Sequence, residues 1–295
     1  MLQEGVGPIN KTMQRSDLES EAARTIVAEL EELLAELKHK DLKTSSWYGV
    51  FDLESAHDPY ERLNRGYGYE PLPGVLDDTN FPWFLYWEIS WVVQHGGFEP
   101  GQRVLDLGGS SSLFSYYLAS KGLDVTTVDL QEDLVRNADE VAAKTGWSLE
   151  NHAMDMRTLA FDEPFDHITS ICVYEHIPMY DRVEINRRIE QLLVPGGRFS
   201  ITFDYRNPSR FARIDTPVDV RAQFVEPSGL SVRGNEEFVD TGESYLLNPF
   251  YHPDVPREYR TAGVKQGHFR RRELLRTKKE NDYTFGALFQ EKPRA

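Results

Sequence analysis

The sequence predicts an α/β fold with a doubly wound, mostly parallel sheet. From Gln102 onward, short apolar segments typical of strands alternate with amphipathic segments typical of helices. The predicted strands are 103–107, 124–128, 167–173 and 198–203, and the predicted helices are 112–121, 131–145 and 181–193. Alternation of this kind implies parallel strands joined by right-handed crossovers.

The pattern weakens after Tyr205. We expect a helix over 218–227, a strand over 230–239 and a clear final strand over 283–291. An insertion at about 240–281, rich in Pro, Tyr and Arg, separates the last two strands.

An amphipathic helix is predicted over residues 16–37, where apolar side chains recur every three or four positions. Ser16 followed by Glu19 is a capping-box pattern at its start. The apolar face can cover a ligand cleft as a lid, pack on the core or form a homodimer interface. Packing on the core is the default expectation.

Residues 47–91 combine many aromatic side chains with Gly and Pro. The part after Pro82 predicts a buried helix, and the part before it predicts an ordered loop. Most of the rings are expected in the core, with an aromatic-walled substrate pocket as the second interpretation. We therefore divide the chain into an N-terminal helical and aromatic cap at 1–97 and an α/β domain at 98–295.

The net charge of -15 would repel a phosphate backbone, so we predict no nucleic-acid partner. One basic segment, 265–279, runs against this trend; we interpret it as a solvated surface, with docking of an acidic substrate or carrier as the alternative. The sequence contains no recognisable secretion signal or membrane-spanning run. We expect a cytoplasmic protein with no membrane partner.

Cys172 is the single cysteine, which excludes an internal disulfide and a cysteine-rich metal centre. Five of the histidines do not form a metal-ligand spacing; they are His57, His95, His152, His252 and His268. No metal site is therefore predicted.

The turn after the first predicted strand of the α/β domain is the candidate ligand site. Gly108 and Gly109 are followed by three serines, so a ligand can approach the backbone closely. The next strand ends in Asp129, where a carboxylate can accept hydrogen bonds from a ribose. The spacing is not that of a dinucleotide fingerprint, because the sixth position is Leu113. Asp106 would oppose a pyrophosphate but would favour a cationic nucleoside.

Here the sequence resembles the class I S-adenosylmethionine-dependent methyltransferases, which are Rossmann-like. Four blocks carry the resemblance in the family's order: V-L-D-L-G-G at 104–109, V-T-T-V-D at 125–129, F-D-H-I-T-S-I-C-V-Y-E-H-I at 165–177 and L-L-V-P-G-G-R-F at 192–199. The sequence departs from the family's glycine pattern at Ser110 and Ser112. Serine is small enough to keep the turn.

The resemblance implies S-adenosylmethionine as the cofactor and gives each site residue a role. Asp106 and Gly108 line the methionine part, within the turn that Gly109, Ser110 and Ser111 complete. Asp129 binds the ribose hydroxyls and Leu130 packs on the adenine. Asp155, which precedes Met156, lies near the adenine amino group, unless it only caps a turn. The backbone of Cys172 and Val173 faces the ammonium end of the cofactor.

Methyl transfer is an in-line displacement that mainly requires alignment of donor and acceptor. His176 with Glu175 is the candidate general base, and a purely structural role for this pair is the alternative. Tyr174, Asp204 and Tyr205 are weaker candidates for substrate contact.

The predicted function is methyl transfer to a small molecule through oxygen, nitrogen or carbon. The alternatives are a catalytically inactive binding or assembly protein and a nucleotide-cofactor oxidoreductase.

Overall fold

The computed structural model describes residues 7–45, 83–207, 213–245 and 283–294. The aromatic segment before Pro82, most of the insertion at 240–281 and the basic segment 265–279 lie outside these residues, as does the interpretation attached to each.

The fold is built on one eight-stranded sheet. The strands are β1 (Lys11–Thr12), β2 (Arg103–Leu107), β3 (Asp124–Asp129), β4 (Leu149–Ala153), β5 (Phe165–Ile171), β6 (Leu193–Tyr205), β7 (Ser231–Val232) and β8 (Thr284–Glu291). Their order is β1-β8-β6-β5-β2-β3-β4, with β7 also paired to β8. Strands β4, β3, β2, β5 and β6 are parallel, and β8 is antiparallel to β6. The predicted doubly wound, mostly parallel sheet is confirmed.

The observed strands differ from the predicted ones in several places. Strand β4 was not predicted because its sequence, Leu-Glu-Asn-His-Ala, lacks an apolar run and lies at the partly exposed sheet edge. Strand β5 ends two residues before the predicted end, because Cys172 has a left-handed φ of 54°. The predicted strand 230–239 is wrong: only Ser231–Val232 pair with β8, and Gly234 turns the chain with a φ of 89°.

The helices flank this sheet. They are α1 (Glu21–His39), α2 (Trp83–Gly96), α3 (Leu113–Ser120), α4 (Glu132–Thr145), α5 (Met179–Leu192) and the short α6 (Pro217–Val220). The predicted capping box at Ser16 is wrong, because Arg15–Glu19 form a 3-10 turn and Ser20 caps α1 by accepting a hydrogen bond from the Ala23 amide. The predicted helix 218–227 is a short α-helix followed by a π turn at Arg221–Val225.

Two apolar layers cover the sheet. The layer that includes α1, α2 and α3 contains Phe84, which stacks on Phe285 of β8 with ring centroids 5.5 Å apart. The opposite layer contains Ile185 and Ile189 of α5. The apolar side of α1 packs within the first layer, as expected. The division at residue 97 and a homodimer through α1 stay predictions.

Within the described ranges, no helix combines the length and hydrophobicity that a membrane crossing requires.

Candidate cofactor site

The turn after β2 can be built only with glycine at its first two positions. Gly108 has a φ of 78°, and a Cβ there would lie 2.6 Å from a Val173 methyl carbon. A Cβ on Gly109 would lie 1.9 Å from Asp106 Oδ2. Both distances are below any van der Waals contact, so the two glycines bring the backbone against Val173 and Asp106.

The three serines that follow hold the turn in place from inside the protein. Ser110 Oγ lies 2.8 Å from Thr127 Oγ1 of β3, and Ser111 Oγ donates to the Leu134 carbonyl at 2.6 Å. Ser112 caps α3, because its Oγ accepts a hydrogen bond from the Ser115 amide at 3.0 Å. Ser110 and Ser111 are thus buried and use their hydroxyls within the protein, so these side chains stabilise the turn.

Asp106 is 1% exposed at the end of β2. Its two oxygens accept hydrogen bonds from Ser115 Oγ at 2.6 Å and Thr169 Oγ1 at 2.8 Å. Burial raises the pKa of Asp106 to about 6, although these hydrogen bonds favour the ionised form. At neutral pH the side chain is therefore a buried negative charge beside the turn.

Asp129 ends β3 and is 4% exposed. Its Oδ1 accepts a hydrogen bond from the Gln131 amide at 3.0 Å, which fixes the carboxylate at the strand end. Burial, with a smaller contribution from the negative charge of Asp106, raises the pKa of Asp129 to about 6. Asp106 and Asp129 are therefore two buried side chains whose negative charges interact.

Replacing Asp129 by asparagine should change the pH dependence of stability. An aspartate in the unfolded chain has a pKa of about 4, so native Asp129 binds a proton more tightly, and its stabilising contribution is lost as the pH rises from about 4 to about 6. Asparagine does not titrate. The variant should gain up to about 3 kcal/mol in free energy of unfolding, relative to the native chain, between pH 4 and pH 7.

Urea unfolding of both chains at pH 4, 5, 6 and 7, without ligand, measures this difference. Glu132→Gln, at an exposed position at the start of α4, is the control and should show a nearly constant difference. A flat difference for Asp129→Asn as well would contradict the raised pKa.

The two residues expected at the adenine end have different surroundings. Leu130 is 63% exposed, which leaves its side chain accessible to a ligand. Asp155 accepts hydrogen bonds from the amide and guanidinium of Arg157 and caps the turn Met156–Thr158. These contacts with Arg157 lower the pKa of Asp155. The turn-capping interpretation of Asp155 thus describes its observed contacts, and roles of Asp155 and Met156 in cofactor binding stay predictions.

Cys172 and Val173 follow β5 beside the glycine turn. The Cys172 amide donates to Thr202 Oγ1 at 3.0 Å, and the Val173 side chain packs against Gly108. Cys172, Ser111 and Arg206 each follow a strand and have φ between 54° and 65°, and Asp41 is the one other non-glycine residue with positive φ in the described ranges. Strained backbone is thus concentrated at the carboxyl ends of the parallel strands, and such strain is common at functional sites.

The predicted base pair His176 and Glu175 lies next to this strained segment. The Glu175 side chain is buried, and its Oε1 accepts hydrogen bonds from the Asp204 amide at 3.1 Å and the Cys172 thiol at 3.2 Å. His176 Nε2 lies 3.8 Å from the same oxygen, with its side chain 43% exposed. Glu175 therefore has a structural anchor, while the imidazole remains accessible.

Sequence reasoning missed Glu88. It lies on α2, is fully buried and interacts electrostatically with Glu175 and Asp204. The available signal was a single acidic residue within the otherwise apolar helix Trp-Phe-Leu-Tyr-Trp-Glu-Ile-Ser-Trp-Val-Val. Burying a carboxylate costs free energy unless the group is paired or has a function. Glu88 could therefore have been identified as a candidate functional residue from the helix pattern alone.

The comparisons with known proteins match the part of the chain that contains this candidate site. The family model of a methyltransferase domain matches residues 104–197. A ubiquinone biosynthesis O-methyltransferase of Xanthomonas euvesicatoria is 34% identical over 114 residues, which is 38% of this chain and 47% of the relative. The match thus spans about half the length of this curated relative.

Solved structures show the same fold. Phosphoethanolamine N-methyltransferase 2 of Haemonchus contortus, solved with phosphomonomethylethanolamine and S-adenosylhomocysteine, matches 70% of this chain and 52% of its own, with TM-score 0.51 and 19% identity. The cyclase SpnF matches 70% of this chain and 80% of its own, with TM-score 0.51 and 16% identity. A cyclase among the neighbours shows that the fold alone does not fix the reaction.

The family match covers all four sequence blocks in part or in full. Because the matched model is that of a methyltransferase domain, it argues against the oxidoreductase interpretation. S-adenosylmethionine is the cofactor that the family uses. Residues 104–197 therefore match a methyltransferase domain, and the fold around them is that of class I S-adenosylmethionine-dependent methyltransferases.

Proposed function

We propose that this chain binds S-adenosylmethionine at the carboxyl ends of β2, β3 and β5 and transfers its methyl group to a small molecule. The observation that carries the proposal is the pair of buried carboxylates, Asp106 and Asp129, on either side of the glycine turn. Each is ionised at neutral pH despite its burial, so the edge has a negative potential.

A cationic cofactor complements this arrangement. The positive sulfonium and ammonium groups of the cofactor would interact favourably with the negative charge of Asp106. The Asp129 carboxylate can accept hydrogen bonds from the two ribose hydroxyls. Gly108 and Gly109 let the turn pack directly against Val173 and Asp106, which places the turn backbone beside the Asp106 carboxylate. Cys172 and Val173 offer backbone groups to the ammonium end, and Leu130 offers an exposed apolar surface to the adenine.

The cofactor supplies a methyl carbon that its sulfonium already activates. The chain mainly has to align the acceptor with that carbon and exclude water. His176 is the candidate to take a proton from the acceptor, because its imidazole is accessible and lies near the Glu175 carboxylate. The similarity to O-methyltransferases of ubiquinone biosynthesis supports a small-molecule acceptor.

A turnover assay tests this proposal. Labelled S-adenosylmethionine is incubated with a panel of phenols, amines and carbon acids, and formation of S-adenosylhomocysteine and methylated product is measured. We expect acceptor-dependent turnover, and His176→Ala should lower kcat by about 10²-fold or more while leaving cofactor affinity unchanged. His176→Ala with unchanged kcat would show that the histidine is not the base. Cofactor binding without turnover on any acceptor would favour the inactive binding or assembly protein.

A further inference from the structure

Ser111, in the glycine turn after β2, is held in a strained conformation by two neighbouring parts of the chain. Its φ is 65° and its side chain is buried. Left-handed backbone is unfavourable for a residue other than glycine, so it persists only where surrounding groups hold it. Ser111 Oγ donates to the Leu134 carbonyl of α4 at 2.6 Å. The Ser111 carbonyl accepts hydrogen bonds from the Ser45 amide at 2.7 Å and from Ser45 Oγ at 3.1 Å.

Residues 42–45 reach this turn because the chain changes direction at the end of α1. Asp41 follows the helix with a φ of 54°, and the Leu42 amide donates to the Leu37 carbonyl at 2.8 Å. Leu42 and Thr44 are buried, so the segment packs on the protein. The end of α1 thus directs Ser45 to the Ser111 carbonyl.

Asn137 of α4 connects residues 42–45 to the turn. Its Nδ2 lies 2.8 Å from the Lys43 carbonyl oxygen, 2.9 Å from Ser111 Oγ and 3.2 Å from Tyr116 Oη. The Lys43 carbonyl can only accept a hydrogen bond, so the amide nitrogen of Asn137, and not its oxygen, must face it. The Ser111 hydroxyl gives its hydrogen to the Leu134 carbonyl, so towards Asn137 it acts as an acceptor. Asn137 therefore supplies the donors that both parts require.

We propose that Asn137 is a positioning residue for cofactor binding. It holds Ser111 in the left-handed conformation and joins residues 42–45 to the turn. Cofactor binding and the docking of residues 42–45 consequently stabilise each other. This inference rests on the proposed function, because the turn is the part of the site that would contact the methionine part of the cofactor. In this role Asn137 acts through Ser111 and need not touch the cofactor.

The role predicts a dependence on the residue at position 111. Without the Asn137 amide, Ser111 can relax out of its strained conformation, and the apparent Kd rises as the fraction of molecules with a competent turn falls. Glycine adopts a φ of 65° without this strain. The contribution of Asn137 to cofactor affinity should therefore be small when position 111 is glycine. A contribution of Asn137 to the stability of α4 alone would not depend on that residue in this way.

Calorimetry with S-adenosylhomocysteine on the full chain tests this dependence. Asn137→Ala should raise the Kd about tenfold when serine is at position 111, and by less than about threefold in the Ser111→Gly background. Arg136→Ala is the matched control, because Arg136 directly precedes Asn137 on α4 and its side chain is 74% exposed. It should leave the Kd within about twofold of the native value. Thermal unfolding of each variant shows whether it folds.

Hydrogen exchange on the native chain gives a second test that needs no variant. Since the Ser45 amide donates to the Ser111 carbonyl, saturating S-adenosylhomocysteine should slow its exchange by about threefold or more. The Gly101 amide, which donates to the Gly122 carbonyl at the opposite end of β2, is the control and should exchange at an unchanged rate. Unchanged exchange at Ser45 with the cofactor product bound would overturn the inference.

The titrations separate the inference from the proposed function. If the native chain binds S-adenosylhomocysteine and Asn137→Ala binds it equally well, the inference fails and the proposed function stands. The inference also fails if Asn137→Ala raises the Kd by the same factor with serine and with glycine at position 111. If the native chain does not bind S-adenosylhomocysteine, the proposed function fails and the inference fails with it.

Discussion

Replacing Gly109 by alanine should abolish cofactor binding. The added Cβ would lie 1.9 Å from Asp106 Oδ2, so the carboxylate would have to leave its hydrogen bonds with Ser115 and Thr169 or the turn would have to move. Either change displaces the negative charge and the backbone that are proposed to face the methionine part. Calorimetry with S-adenosylhomocysteine should show the Kd rising by about 100-fold or more, which is about 2.7 kcal/mol.

Gly7→Ala is the matched control for this substitution. No atom lies within 4 Å of a Cβ built on Gly7, so the same added methyl group should leave both Kd and stability unchanged. A Kd for Gly109→Ala within threefold of the native value would show that the cofactor does not use this turn.

Replacing Trp87 by alanine should destabilise the chain by about 3–5 kcal/mol. Trp87 is fully buried in α2, its indole Nε1 donates to Asp17 Oδ2 at 2.8 Å, and its ring stacks on Trp91 with centroids 5.7 Å apart. The substitution leaves a cavity and removes a hydrogen bond from the partly buried Asp17 carboxylate. Urea unfolding monitored by far-UV circular dichroism measures the loss.

Tyr180→Ala is the control, because Tyr180 is 78% exposed on α5 and its loss should change stability by less than about 0.5 kcal/mol. A loss below about 1 kcal/mol for Trp87→Ala would indicate that α2 docks weakly. The cap at 1–97 would then behave as a separate segment. A loss in the expected range would make α2 part of the core that supports the proposed site.

The central strands could be predicted from the sequence because they are buried on both faces and read as apolar runs. The glycine turn and Asp129 were singled out on a different ground. A ligand that approaches the backbone requires small residues in the turn, and a polar residue at the end of the next strand can bind it. Strand β4 escaped prediction because an edge strand tolerates polar residues such as those of Leu149–Ala153. Its position depends on pairing with β3 rather than on its own pattern.

Contacts between distant segments are the part that sequence could not supply. Asn10 accepts a hydrogen bond from the Phe289 amide at 2.8 Å and donates one to the Arg233 carbonyl at 2.8 Å, which fastens the N-terminus to β8. The approach of Glu88 to Glu175 and Asp204 is of the same kind. No local periodicity encodes such meetings, because they depend on how α2 packs on the sheet.

The internal use of the serine hydroxyls was also outside the reach of the sequence. Ser110 and Ser111 lie in the predicted ligand turn, so their hydroxyls could have faced the ligand or the protein. The structure places them against Thr127 and the Leu134 carbonyl. Ser110 thus stabilises the turn at a position where the family pattern has glycine.

The most direct test of the account is a calorimetric titration of the native chain and Asp129→Asn with S-adenosylhomocysteine at pH 7.5. The account predicts micromolar binding to the native chain and affinity lower by about tenfold or more, which is about 1.4 kcal/mol, in the variant. Equal binding by both chains would contradict the role of Asp129. No binding by the native chain would contradict the proposed function itself.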